Sequence, residues 1–114
     1  MKPVFVDTLY YLALTNPRDH YAAAAARFTA GFAGAFVTTV WVLAEVANSL
    51  ARGPNRALFL ELYHDLANDR RVTIVPATQD LFERGIDLYR ERSDKAWSLT
   101  DCISFIVMRD SGLT

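Results

Sequence analysis

Val4-Phe5-Val6-Asp7-Thr8-Leu9-Tyr10-Tyr11-Leu12-Ala13-Leu14 changes character at a single residue, Asp7. Pro3 to Val6 is a short apolar run, the pattern of a buried first strand. Thr8 to Leu14 reads as a short helix, closed by Asn16-Pro17. A buried strand that ends on an acid and feeds directly into a helix is the opening of an α/β chain.

The same alternation continues downstream. Asp19 to Phe32 is alanine-rich and predicts a helix, with Gly31 and Gly34 ending it. Ala35 to Thr38 predicts a second short strand. Thr38 or Thr39 caps a third helix that runs through Leu50 and stops at Gly53-Pro54. Asn55 to Asn68 carries apolar residues at 58, 59, 62, 63 and 66, a helical period. Arg71 to Pro76 predicts a third strand. Thr78 caps a helix to about Glu91, with Asp80 in its first turn. Arg92 to Trp97 is a polar loop, and Ser98 opens a last helix to about Asp110, with Gly112 just past its end. The order β-α-α-β-α-α-β-α-α predicts a central parallel sheet in a three-layer α/β/α arrangement. The chain stops at Ser111-Gly112-Leu113-Thr114, where a further strand is expected. A C-terminal truncation of one domain spanning 1–114 is therefore anticipated.

Composition narrows the function. At 114 residues there is room for one core, and 52% apolar residues suffice to fill it. Twelve Lys and Arg against thirteen Asp and Glu leave a net charge of −1, so no basic excess advertises nucleic acid. That weighs mildly against tight nucleic-acid binding, but not against an enzyme that holds its substrate briefly. Cys102 is the single cysteine, cannot form an internal disulfide, and reads as a small buried hydrophobe. His20 and His64 lack metal-ligand spacing and are expected on the surface. The N-terminus has no signal-peptide pattern, and the apolar stretch from Gly31 to Ala47 is interrupted by Thr38, Thr39 and Glu45. A soluble cytoplasmic protein without a membrane segment is expected.

Three carboxylates sit among apolar residues: Asp7, Glu45 and Asp101. Each has a structural explanation as well as a chemical one. Asp7, between strand and helix, is placed to cap the helix; it also lies at the carboxyl end of a strand, where α/β folds bind ligands. Glu45 is the only charge between Thr39 and Arg52, with Asn48 and Ser49 as polar company one turn on. A carboxylate on so apolar a helix needs a partner, a proton or a metal. Ser98-Leu99-Thr100-Asp101 fits a capping box, which explains Asp101 without catalysis. A rigidly capped carboxylate can still present an oxygen to a cation. Asp94 is a weaker candidate. Glu61, Asp65, Asp69, Asp80, Glu83, Asp87 and Glu91 read as solvated helical acids. Convergent carboxylates need a neutralising cation, and hard oxygen donors without histidine or cysteine suit Mg²⁺ or Mn²⁺. Metal-assisted phosphodiester hydrolysis is the chemistry implied.

Val4-Phe5-Val6-Asp7-Thr8, then Thr38-Thr39-Val40 with Glu45, then Ser98-Leu99-Thr100-Asp101-Cys102, together resemble a PIN domain, most of all the VapC-type ribonuclease toxins of bacterial toxin–antitoxin pairs. The resemblance implies a PIN-like fold and a Mg²⁺- or Mn²⁺-dependent endoribonuclease in which Asp7, Glu45 and Asp101 are catalytic, metal-binding acids. It gives Asp94 an outer role and makes Thr8 and Ser98 supporting hydrogen-bonders. RNA is the implied substrate, a cognate antitoxin the inhibitor and a homodimer the usual state. The family's fourth acid falls beyond Thr114, so a catalytically inactive PIN-like interaction module is the alternative. A receiver-like phosphoacceptor fits poorly: Asp7 is followed by Thr8, and no lysine follows Lys95.

Overall fold

A computed structural model describes residues 2–113. Three strands, β1 (Val4–Phe5), β2 (Phe36–Thr39) and β3 (Val72–Val75), form one parallel sheet in the order β1-β2-β3. Val4 pairs with Phe36, and Phe36 in turn with Val72. Six helices connect and follow them: α1 (Thr8–Thr15), α2 (Ala22–Gly31), α3 (Val40–Ser49), α4 (Asn55–Ala67), α5 (Gln79–Glu91) and α6 (Leu99–Asp110). The fold is α/β with a parallel sheet, as the alternation of the sequence predicts.

The helices start where short polar side chains replace missing backbone partners. Asp7, Thr39, Thr78 and Ser98 each accept a hydrogen bond from the first turn of α1, α3, α5 and α6. Thr39, rather than Thr38, caps α3; Thr38 is buried and its hydroxyl donates to the Val6 carbonyl at 3.0 Å. That bond extends the β1–β2 pairing one residue beyond the strand. At the far end of α6, Gly112 adopts φ +70°, its N–H donates to the Arg109 carbonyl, and the N–H of the buried Leu113 donates to the Met108 carbonyl. This is a Schellman ending, with glycine in the left-handed position it requires.

Two expectations are corrected. The second helix begins at Ala22, three residues later than Asp19, because the Asp19 carboxylate accepts from the Tyr21 N–H in a local turn that competes with the helix. Asp69 lies after α4, not on a helix; it accepts from the Arg71 N–H and pairs with the Arg71 guanidinium, turning the chain into β3.

The core lies where β1, β2, α1 and α3 meet, around Val6, Tyr11, Phe36, Val42, Leu43 and Val46. Phe59, Leu62 and Leu66 of α4 close it from the side. Helices α5 and α6 form an antiparallel pair, clasped by Arg84, whose guanidinium donates twice to the Asp110 carboxylate at 2.7 Å. Cys102, Ile103, Ser104, Ile106 and Val107 bury one face of α6, which also meets α3. His20 and His64 are both exposed.

Candidate active site

Asp7 stands one residue past the buried Val6, where β1 hands over to α1. Its Oδ1 accepts from the Tyr10 N–H at 3.1 Å, and its side chain is exposed. Thr8, the first residue of α1, turns its hydroxyl toward α3 and donates to Glu45 Oε1 at 2.7 Å. Glu45 is half-buried in the middle of α3, flanked in sequence by the buried Leu43 and Val46. Thus the first and second βα units meet through a hydroxyl and a carboxylate.

Asp101 forms a complete capping box. Ser98 Oγ accepts from the Asp101 N–H and Asp101 Oδ2 accepts from the Ser98 N–H, both at 3.0 Å. Asp101 itself is exposed, while its neighbour Cys102 is buried; burial first, and then the Asp101 charge, push the Cys102 thiol up. A buried thiol held protonated is a packing residue rather than a nucleophile.

The remaining candidates lie elsewhere. Asp94 is occupied by a two-point ion pair with Arg92, and those hydrogen bonds hold its carboxyl below the usual range. Asn48 is exposed and lines the shallow cleft between α3 and α4 with Arg56, Phe59 and Leu60.

The donor chemistry suits a hard cation: three carboxylates, each fixed through one oxygen. The second oxygens, Asp7 Oδ2, Glu45 Oε2 and Asp101 Oδ1, accept no side-chain hydrogen bond among the described residues. With side chains as placed, no three His, Cys, Asp or Glu among the described residues come close enough to enclose an ion.

A feature that the sequence reading passed over lies beside Ser98. An open cleft of about 480 Å³ is lined by Tyr89, Arg92, Lys95, Trp97, Ser98 and Cys102, together with Ser93 and Ala96. Its signal in the sequence is the interleaving of aromatic and basic residues in Tyr89-Arg90-Glu91-Arg92-Ser93-Asp94-Lys95-Ala96-Trp97.

A parallel α/β chain whose strand-end acid, mid-helix acid and capped acid fall on these elements has known relatives. The chain belongs to the PIN domain family, which it matches over residues 4–114. Its structure is similar to that of VapC20 from Mycobacterium tuberculosis, described as a sarcin-ricin-loop-cleaving toxin: the TM-score is 0.87 at 26% identity, over 96% of this chain and 84% of VapC20. Comparison with curated protein sequences gives no match.

Proposed function

We propose that residues 1–114 are a single nuclease domain, the toxin of a toxin–antitoxin pair, that hydrolyses RNA phosphodiester bonds at Asp7, Glu45 and Asp101 with a divalent cation. The observation that carries this reading is the Thr8–Glu45 bond, which ties the acid-bearing end of β1 to the acid of α3 over 37 residues of sequence. Membership in the PIN family and similarity to an RNA-cleaving toxin support RNA as the substrate.

Each residue has a task. Asp7, held by the α1 cap, presents Oδ2. Thr8 fixes the Glu45 rotamer and leaves Oε2 free. Ser98 holds Asp101 and leaves Oδ1 free. Together these oxygens would hold Mg²⁺ or Mn²⁺ once the side chains turn toward one another, since as they stand no three among the described residues enclose an ion. When bound, such an ion polarises the phosphate and lowers the pKa of an attacking water. Without a cation the carboxylates repel the phosphate, which makes activity metal-dependent. Asp94 and Asn48 are assigned no contact with substrate. The same reading carries a cognate antitoxin, a homodimer and a cytoplasmic setting. Among the described residues, no helix is long and apolar enough to cross a membrane.

RNA incubated with the protein and Mg²⁺ or Mn²⁺ should be cut internally. Excess chelator, Asp7→Asn and Asp101→Asn should each abolish the cutting. Undiminished cleavage in chelator would overturn the metal mechanism. A second reading, an inactive PIN-like module that binds the antitoxin, is favoured by the lack of a three-acid cluster among the described residues. It predicts no cleavage and no rise in Tm on adding either ion.

A further inference from the structure

The cleft beside Ser98 is built like a stacking site. Trp97 is half-buried at its centre. Phe105, one and a half turns into α6, packs edge-on against the indole with centroids 4.8 Å apart, which fixes the ring plane. The Arg92 guanidinium carbon lies 5.2 Å and the Lys95 ammonium 5.9 Å from the indole centroid. Tyr89 stands exposed at the rim. The lining thus carries two cations and no carboxylate, because Asp94 is taken up by Arg92 and does not line the cleft.

An ordinary apolar pocket would not place two cations over one indole. Neither cation neutralises a buried charge, and Lys95 is exposed, so its contact with the ring is weak and easily displaced. A fixed aromatic plane flanked by cations is the chemistry that receives an unpaired nucleobase: the base stacks, the exposed Lys95 turns to its phosphate, and Arg92, held by Asp94, keeps its place beside the ring. The volume falls within the range of about 300–1,000 Å³ seen for small-ligand sites. Position matters as well. Ser98, which follows Trp97 and lines the cleft, is the residue that holds Asp101, so the cleft adjoins the helix start that carries the acid.

We infer that Trp97, with Arg92 and Lys95, forms a base-stacking subsite that grips one unpaired nucleotide of an RNA substrate beside Asp101. This rests on the nuclease reading and adds the specificity element that the three acids lack: the carboxylates alone recognise no base, whereas the subsite selects single-stranded RNA and sets the cut a fixed distance from a gripped base.

Binding of a fluorescein-labelled single-stranded oligoribonucleotide, followed by anisotropy in chelator at low salt, tests it without interference from cleavage. Trp97→Leu should weaken binding roughly tenfold to a hundredfold, whereas Trp97→Phe should keep most of it. An abasic substitution scanned along the oligonucleotide should hurt at one position only, and that penalty should vanish in Trp97→Leu. Lys95→Gln should lower the slope of log affinity against log salt by about one; this holds the test open if Trp97→Leu does not fold. Unchanged affinity in a folded Trp97→Leu, an unchanged slope in Lys95→Gln, or no binding either by the unaltered protein in chelator or by the non-cleaving Asp7→Asn protein in Mg²⁺ would each overturn the subsite. The two readings fail separately. A protein that binds as described but never cleaves loses the nuclease reading and keeps the subsite. Equal cleavage at the same positions by Trp97→Leu removes the subsite and keeps the nuclease.

Discussion

The hydroxyl of Thr8 donates to Glu45 Oε1 across 2.7 Å, so the first turn of α1 and the middle of α3 share one hydrogen bond. Neither residue reaches the other without the sheet. The Thr38 hydroxyl on the Val6 carbonyl sets the height at which α1 and α3 leave β1 and β2, and the Thr8–Glu45 bond closes the gap above. A half-buried carboxylate thereby gains a donor, and its rotamer is chosen before any ligand arrives.

Removing the donor and removing the charge should therefore differ. Thr8→Val leaves a half-buried carboxylate unpartnered, at a cost of about 1–3 kcal/mol. For a chain of this size that lowers Tm by several degrees, on the order of 4 °C per kcal/mol. Thr8→Ser should restore most of it. Glu45→Gln keeps an acceptor for Thr8 and should stay within a few degrees of the parent Tm, yet lose RNA cleavage. Thermal melts and a cleavage assay on the three variants decide; a Thr8→Val protein as stable as the parent would show the bond to be incidental.

The capping box separates in the same way at α6. Ser98→Ala deletes the acceptor for the Asp101 N–H and should cost about 0.5–2 kcal/mol. Asp101→Asn retains an oxygen for the Ser98 N–H, so its fold should survive while cleavage disappears. Circular-dichroism melts report the first effect and cleavage the second. If Asp101→Asn cleaves normally, the acid is a cap alone.

Much of this was legible in the sequence for a physical reason. Capping is local: Asp7, Thr39, Thr78 and Ser98 act on backbone within three residues, and all four were readable as helix starts. Short, largely β-branched runs bounded by turn and helix signals read as strands, so Phe36–Thr39 and Val72–Val75 stood out. Asp19 misled because its side chain makes a turn instead of a helix start. Acids among apolar residues were conspicuous as candidates, but their partners were not. The Thr8–Glu45 bond depends on strand register. The Trp97 cleft depends on how closely α5 approaches α6, and no single segment encodes that distance.

That approach is set at Gly85. A Cβ there would stand 2.4 Å from Ile103 Cγ1, and Ile103 is fully buried with nowhere to retreat. Gly85→Ala gains up to about 1 kcal/mol of helix propensity, but overpacking at such a contact costs about 1–3 kcal/mol. The net effect should be destabilising. Ile103→Ala deletes Cγ1 and Cδ1, the side-chain atoms that the new Cβ meets most closely, so the double variant should lose less than the two single losses added together. A double-mutant cycle in urea measures this. Additive losses would mean that the helices simply move apart, and RNA binding at Trp97 should then fall as well.

Tyr11 gives the structure a pH dependence of its own in the alkaline range. Its ring is 2% exposed in the core, and its hydroxyl finds no hydrogen-bond partner among the described residues. The nearby Thr38 hydroxyl softens the effect only in part, since its proton goes to the Val6 carbonyl. Burial pushes the Tyr11 phenol from 10.0 up to about 12, with a smaller push from Tyr10. The unfolded chain therefore releases this proton near pH 10, while the folded protein keeps it. Between pH 10 and 12 the unfolded state binds fewer protons, so stability falls as pH rises through that window and is fully present below it. A displacement of this size corresponds to roughly 2–3 kcal/mol. Tyr11→Phe cannot ionise and loses no hydrogen bond, so at neutral pH it should stay within about 1 kcal/mol of the parent. From pH 10 upward it should lose stability less steeply, and the gap between the two proteins should widen toward pH 12. Urea titrations of both across that range cancel the ionisation of the other tyrosines, of lysine and of arginine. Parallel curves would show that the folded protein lets the Tyr11 phenolate reach water.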